Sequence, residues 1–223
     1  MARILLIETS TALLSTAIAE DGVVTAYLES AELRSQASLT AVFIDRMLKE
    51  KGLRVKDFDA VAVSKGPGSY TGLRVGVSTA KGLCFGAGIP LIAIGTLEVL
   101  VEQGRSEAYR YIVPMIDARR MEVYSALFSP DGRQLTPVEA MVIEPGAFAK
   151  ELAEGPVLFI GDGAEKCRTA LPGGHFVQCY PKASAMAPLA EAAFSEGRIE
   201  DLAYFEPFYL KDFVATVSRK KLF

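Results

Sequence analysis

Three stretches of this 223-residue chain have residue types and spacings that could do chemistry. Glu8 closes the apolar run Ile4-Leu5-Leu6-Ile7 and is followed by the hydroxyl-rich Thr9-Ser10-Thr11. Asp117 closes a second run that begins at Tyr111, and is followed by Ala118-Arg119-Arg120. A carboxylate at the end of a buried strand can hold a hydrated metal ion. The third stretch is Lys65-Gly66-Pro67-Gly68-Ser69-Tyr70-Thr71-Gly72-Leu73-Arg74-Val75-Gly76, which continues through Thr79-Ala80-Lys81-Gly82-Leu83. A glycine turn that opens a helix can turn backbone N–H groups toward an anion.

Spacing tests the familiar versions of that chemistry. A Walker A loop needs G-x-x-x-x-G-K-[ST], whereas Lys81-Gly82 has the reverse order and no hydroxyl after it. A dinucleotide fingerprint needs G-x-G-x-x-G, but Gly72 follows Gly66-Pro67-Gly68 one residue too late, after the fourth strand of its lobe rather than the first. A general anion site between Ser69 and Gly72 stays open, flanked by Lys65 and Arg74. In the plainer reading Pro67 and Gly68 shape a turn and Ser69 or Thr71 caps the helix. The single histidine, His175, leaves no paired-histidine metal site, and the three cysteines Cys84, Cys167 and Cys179 form no CxxC pair. The turns after Glu8 and Asp117 lack a glycine that would admit phosphates to the backbone. No catalytic residue, metal or cofactor is therefore expected, and nucleotide turnover by this chain alone is not.

The elements that must position these residues can be read in order. Strands are expected at Arg3 to Glu8, Leu13 to Ala19 and Val23 to Leu28, with Asp21-Gly22 as a hairpin turn. A helix follows through Leu39, Val42, Phe43, Met47 and Leu48 and stops at Gly52, then a strand at Ala60 to Val63, the glycine turn and its helix, a strand at Ile89 to Ile94, and a helix from Thr96 to Gln103. After a polar stretch at residues 104–108 the opening returns: a strand ending at Asp117, one from Glu122 to Phe128, an Asp131-Gly132 turn, a strand from Gln134 to Ile143, and Pro156 to Gly163 as a strand with a Gly-x-Gly exit into a helix. Residues 184–195 supply a closing helix. Glu8 precedes Asp21 by thirteen residues and Asp117 precedes Asp131 by fourteen, so one insertion brings the halves into register. This predicts an α/β chain of two βββαβαβα lobes, residues 1–104 and 105–223, with the duplicated RNase H-like architecture of the actin-like ATPases. Glu8 and Asp117 would then face each other across the interlobe cleft.

Composition narrows the class of protein. Half the residues are hydrophobic and the formal net charge is -3, which fits a folded globular body and gives no broad basic surface for nucleic acid. Glu8, Lys65 and Arg74 interrupt the apolar runs before they reach the length of a membrane span or a signal-peptide core, so a cytoplasmic protein is expected. The basic cluster Arg219-Lys220-Lys221 reads as a solvated tail.

The helix after the glycine turn carries a stripe with almost no side chain: Gly72, Gly76, Ala80 and Cys84, with Val75, Thr79 and Leu83 beside it. Mid-helix glycines cost about 1 kcal/mol each relative to alanine, so such a face implies a close backbone neighbour. That neighbour could be the chain's own sheet or first helix, or another subunit. Spacing alone leaves both open.

With these residues in view, the chain resembles the bacterial TsaB (YeaZ) family, partners of TsaD in making the threonylcarbamoyl modification of adenosine in tRNA. The likeness rests on Ile4 to Ser10, on Lys65 to Gly76 with Ala80 to Leu83, and on Asp117-Ala118-Arg119-Arg120-Met121-Glu122-Val123-Tyr124. The family usually has Asp at the position of Glu8 and often Gly near Met121. TsaD-like relatives carry a histidine pair on the helix after the next strand, where this chain has Thr96-Leu97-Glu98-Val99-Leu100. The resemblance implies a non-catalytic scaffold that dimerises with TsaD, recruits the ATPase TsaE, pairs with itself when alone, and meets tRNA only through the complex. It implies an interface of Ser69, Thr71, Gly72, Leu73, Val75, Gly76, Thr79, Ala80 and Leu83, and a degenerate nucleotide cleft of Glu8, Thr9, Ser10, Asp117 and Arg119. A free-standing actin-like ATPase or phosphotransferase is the alternative, and a metallopeptidase conflicts with the single histidine.

Overall fold

The computed structural model describes residues 2–32 and 35–211, so the basic cluster at 219–221 lies outside the described residues. The first sheet contains β1 (Arg3–Glu8), β2 (Leu14–Glu20), β3 (Val23–Ser30), β4 (Ala60–Gly66) and β5 (Leu91–Gly95) in the order β3-β2-β1-β4-β5. β1 runs parallel to β4 and antiparallel to β2. The second sheet contains β6 (Tyr111–Asp117), β7 (Glu122–Ser125), β8 (Glu139–Val142), β9 (Val157–Ile160) and β10 (His175–Val177) in the order β10-β9-β6-β7-β8. Read from the other edge, this is the same order with the same directions: a three-stranded meander whose first strand pairs parallel with the fourth. The repeat inferred from the sequence is therefore present, and the chain has the duplicated RNase H-like fold of the actin-like class.

Each lobe ends in a helix that covers the other lobe's sheet. The inner strands β1 and β4 are apolar on both faces, as strands covered on both sides must be. Leu5, Ile7, Val61 and Val63 pack under α1 (Gln36–Lys51) and α2 (Tyr70–Ala87). The alternate residues Ile4, Leu6, Ala60 and Ala62 pack against Ala187, Ala190 and Ala193. These alanines belong to the last helix, which is α5 (Ala187–Ser195) once α3 (Thr96–Gly104) and α4 (Ala149–Glu154) are counted. Leu97, Leu100 and Val101 of α3 pack instead against Ile112, Ile116, Leu158 and Ile160 of the second sheet. The two halves are interlocked by this exchange.

Local chemistry sets the ends of these elements. Asp21 and Gly22 take φ of 51° and 74°, the left-handed pair that a two-residue hairpin requires. Gly52 closes α1 at φ 66°. Ser69 caps α2 by accepting from the Gly72 N–H, while α3 is capped by Glu98 returning to the Gly95 N–H at 2.9 Å.

The second lobe departs from the expected pattern in two places. Beyond the Gly-x-Gly exit of β9 there is only a single 3₁₀ turn, Glu165–Cys167, and not a helix. The fourteen residues 161–174 replace the twenty-four, 67–90, that carry α2 in the first lobe, and Pro172-Gly173-Gly174 ends the segment. The strand expected over Gln134 to Ile143 is confined to Glu139–Val142, because Pro137 cannot donate to a ladder. α4 and β10 complete the lobe: the βββαβαβα pattern calls for a helix and a fifth strand there, without placing either on particular residues.

Candidate docking surface and the two acidic strand ends

At the end of β1 the chain folds its polar turn inward. Glu8, Thr9 and Ser10 are fully buried, and Ser15, Ser64 and Thr96 are equally covered. Glu8 Oε1 accepts from the Ser10 N–H at 2.6 Å and from the Ser64 hydroxyl at 3.0 Å, while Oε2 has no hydrogen-bond partner among the described residues. Burial pushes this carboxyl from its ordinary value up to about 7, against the opposing hydrogen bonds from Ser10, Ser64 and the Thr9 backbone.

The glycines of the third stretch make this burial possible. A Cβ on Gly72 would lie 2.1 Å from the Thr9 carbonyl, one on Gly76 2.2 Å from the Thr9 hydroxyl, and one on Gly68 2.4 Å from the Ser10 carbonyl. The Thr9 hydroxyl donates to the Gly72 carbonyl at 2.8 Å, and the Ser69 N–H donates to the Ser10 carbonyl at 2.7 Å. The start of α2 thus sits directly on the turn after β1. That seam tests the turn as a phosphate site. Its N–H groups at Thr9 and Ser10 already serve Glu8, and its carbonyls are covered by α2. A nucleotide phosphate does not fit there.

The end of β6 is built from the same parts and left open. A Cβ on Gly161 would lie 2.2 Å from the Met115 carbonyl, and the Gly163 N–H donates to that carbonyl at 2.9 Å. Asp117 is nonetheless exposed: its carboxylate accepts from Lys166 and from the Arg119 N–H at 2.7 Å. Asp162 accepts from the Asp117 N–H at 2.9 Å, and burial with the nearby Asp117 charge raises its pKa to about 6. Arg119 and Arg120 both take positive φ, 72° and 51°, in the turn that follows. Glu8 and Asp117 therefore differ in kind: one is sealed inside its lobe and the other meets solvent. Among the described residues no three His, Cys, Asp or Glu side chains converge to hold a metal.

α2 has a second face, turned outward beside α1. Thr71, Arg74, Ser78, Gly82, Phe85 and Gly86 are exposed, and Val75 and Thr79 are half-buried. Ala37 of α1 joins Tyr70, Arg74, Val75 and Ser78 in an open groove of about 490 Å³. Val42 on α1 is 53% exposed and Phe85 on α2 is 83% exposed, so the helix pair presents apolar surface to water. A smaller cavity, about 240 Å³, lies between the lobes and is rimmed by Lys65, Glu98, Gln134 and Phe208.

The residues singled out from the sequence divide between these places. Gly72, Leu73, Gly76 and Ala80 are buried in their own lobe, and Leu83 packs into the same core. The bare stripe is a seam within the chain and not the surface a partner would touch. Ser69, Thr71, Val75 and Thr79 lie on or beside the outer face. Tyr70, Arg74, Ser78 and Ala37 were missed as groove residues, although Thr71, Arg74, Val75, Ser78 and Gly82 recur at helical spacing on the side opposite the glycine stripe.

Fold and site define the class: an actin-like α/β chain whose first acidic strand end is closed by its own helix. Residues 29–218 match the family model described as TsaD, tRNA N6-adenosine threonylcarbamoyltransferase. The tRNA threonylcarbamoyladenosine biosynthesis protein TsaB of Escherichia coli (strain K12) is 30% identical over 225 residues, covering 96% of each chain. The TsaB of Bacillus subtilis (strain 168) is 34% identical over 163 residues, 71% of this chain and 70% of the relative. A Pseudomonas aeruginosa crystal structure, described as an uncharacterized protein with similarity to peptidase YEAZ, superposes with a TM-score of 0.83 at 25% identity, covering 95% of this chain and 100% of that one. The chain belongs to the TsaB (YeaZ) family.

Proposed function

We propose that this chain is a non-catalytic scaffold subunit of the assembly that places the threonylcarbamoyl group on adenosine 37 of tRNA. In this reading α1 and α2 dock a TsaD-like catalytic subunit, a TsaE-like ATPase joins the assembly, tRNA is met only through the complex, and a second copy of the chain occupies the same face when the partner is absent. The chain works without bound nucleotide or metal. The observation that carries the proposal is the outward face of α1 and α2, an apolar groove of about 490 Å³ with no strand or helix among the described residues laid over it, beside an acidic strand end whose phosphate donors are spent on Glu8. Family membership supports the pathway, since the relatives are named for threonylcarbamoyladenosine biosynthesis.

Val75→Glu puts a charge at the edge of the groove without entering the buried seam. Co-purification with the TsaD-like subunit of the same cell should be lost, and the modified nucleoside, read by mass spectrometry of tRNA after depletion and complementation, should fall with it. Intact complex formation by this variant would sink the docking role. The alternative, a free-standing ATPase, draws on the open Asp117 end with Lys166 and Arg119 beside it. Calorimetry of the isolated chain with Mg-ATP decides it: heat with saturable binding favours the ATPase, and a flat titration removes it.

A further inference from the structure

Among the described residues, the lining of the groove on α1 and α2 carries one cation, Arg74, and no acid. Arg74 is exposed, its Nη1 donates to the Tyr70 hydroxyl at 2.8 Å, and its guanidinium lies 5.1 Å from the centre of the Tyr70 ring. Tyr70 is in turn backed by Tyr209, with ring centroids 4.9 Å apart, and the segment bearing Tyr209 is anchored by the Phe208 N–H donating to the Lys65 carbonyl at 2.7 Å. A guanidinium fixed by stacking and a hydrogen bond loses little freedom when it takes a carboxylate. α2 contains no acidic residue at all. The acids of α1 are committed on its surface, Asp45 to Lys49 at 2.7 Å and Glu50 to Arg46 at 2.8 Å. The other cation of α2, Lys81, donates to the carbonyls of Ala203 and Phe205.

We infer that Arg74 selects the occupant of this groove: a partner whose helical face presents a carboxylate, in preference to a second copy of this chain. The inference rests on the docking role proposed above. In a twofold pair of identical chains every contact is drawn from one patch, so each Arg74 would meet a groove whose described lining carries no acid, with a second guanidinium nearby; Glu206, exposed beside Tyr209, lies outside that lining. An acidic partner removes that mismatch. Like-charge juxtaposition against one partner and charge pairing with another is how specificity arises as a difference of affinities. Tyr70 and Tyr209 act as positioning residues for the guanidinium.

The test compares Arg74→Gln, Val75→Glu and wild type, each titrated calorimetrically with the purified TsaD-like subunit at low and high salt, and each measured alone by sedimentation equilibrium. Because Arg74 is exposed, its replacement leaves the melting temperature unchanged. Arg74→Gln should weaken partner binding by about 30-fold or more and flatten its salt dependence, while self-association stays the same or tightens. Tyr209→Ala should give a smaller loss in the same direction. Unchanged partner affinity and salt dependence for Arg74→Gln would overturn the inference, as would equal weakening of both associations, which would make Arg74 a packing residue. If Val75→Glu binds the partner as wild type does, the docking role falls and the inference with it. Loss with Val75→Glu but not with Arg74→Gln removes the inference alone.

Discussion

The ends of β1 and β6 are two copies of one device with opposite outcomes. In both, a parallel strand exits through glycines that press against the neighbouring acidic strand end: Gly68 and Gly72 on Ser10 and Thr9, Gly161 and Gly163 on Met115. The first lobe follows its glycines with eighteen residues of helix, and the second with a three-residue turn. A long helix has room to bury the carboxylate and to keep a free outer face. The short turn leaves Asp117 in water, neutralised by Lys166. In this chain the turn after β1 serves as a foundation for the start of α2, and its counterpart after β6 does not.

The largest test of that contrast is steric. Gly72→Ala drives a methyl into the Thr9 carbonyl, 2.1 Å away, and backbone cannot yield as a flexible side chain can. The expected loss is about 3 kcal/mol or failure to fold, since overpacking alone costs ~1–3 kcal/mol. Gly163→Ala, the counterpart, places its methyl 3.0 Å from Val123 Cγ1 and 3.1 Å from two backbone atoms, and should cost about 1 kcal/mol. Urea melts of the two variants measure the difference. A Gly72→Ala protein as stable as wild type would mean the seam is not closed.

The second test is by pH. Glu8 titrates near 7 when folded, against an ordinary 4.5, so the folded chain holds a proton that the unfolded chain has given up. Stability from this group is full below pH 4.5 and is lost as pH rises through 7, by about 3 kcal/mol at 1.36 kcal/mol per unit. Glu8→Gln stays neutral and should abolish that slope, being more stable than wild type at pH 8 and about equal at pH 4.5. Asp117→Asn at the open end removes only a half-exposed ion pair, worth about 1 kcal/mol or less. Its neighbour Asp162, raised from 3.8 to about 6, contributes a smaller loss over that lower window, about 1–2 kcal/mol after allowance for its partial exposure. Thermal melts of wild type, Glu8→Gln and Asp162→Asn from pH 4 to 8 separate the two groups. A wild-type slope that survives Glu8→Gln would show that the β1 carboxyl is not the titrating group.

Much of this arrangement was legible in the sequence because it repeats. The acidic strand ends, the Asp-Gly hairpin and the glycine exits recur in register, and together they specify the duplicated sheet order. The direction in which a helix face points was not legible. Gly72, Gly76 and Ala80 mark a close backbone contact whichever body supplies it, and only the packing of Thr9 against them shows that the body is the chain itself. The exchange of α3 and α5 between lobes was also hidden, because amphipathic spacing says that a helix is covered and not by which sheet. Tyr209 pairs with Tyr70 across more than half of the sequence, a contact that no local pattern encodes.

The smallest expected effect is the most discriminating, because it makes one substitution at two faces of one helix. Gly82 lies in the interior of α2, exposed, with nothing among the described residues within 4 Å of where a Cβ would sit. Within the isolated chain it has no packing reason to be glycine, and Gly82→Ala should raise stability by about 0.5–1 kcal/mol through helix propensity and a less free unfolded chain. At Gly72 the same methyl is ruinous. If the outer face docks a partner helix, the added methyl at position 82 obstructs close approach, so the variant should be more stable alone and bind its partner more weakly. A Gly82→Ala chain that gains stability and keeps full partner affinity would confine the interface to the groove half of α2, from Tyr70 to Thr79. One that gains no stability would mean that the exposed glycine is held by a contact within the chain itself.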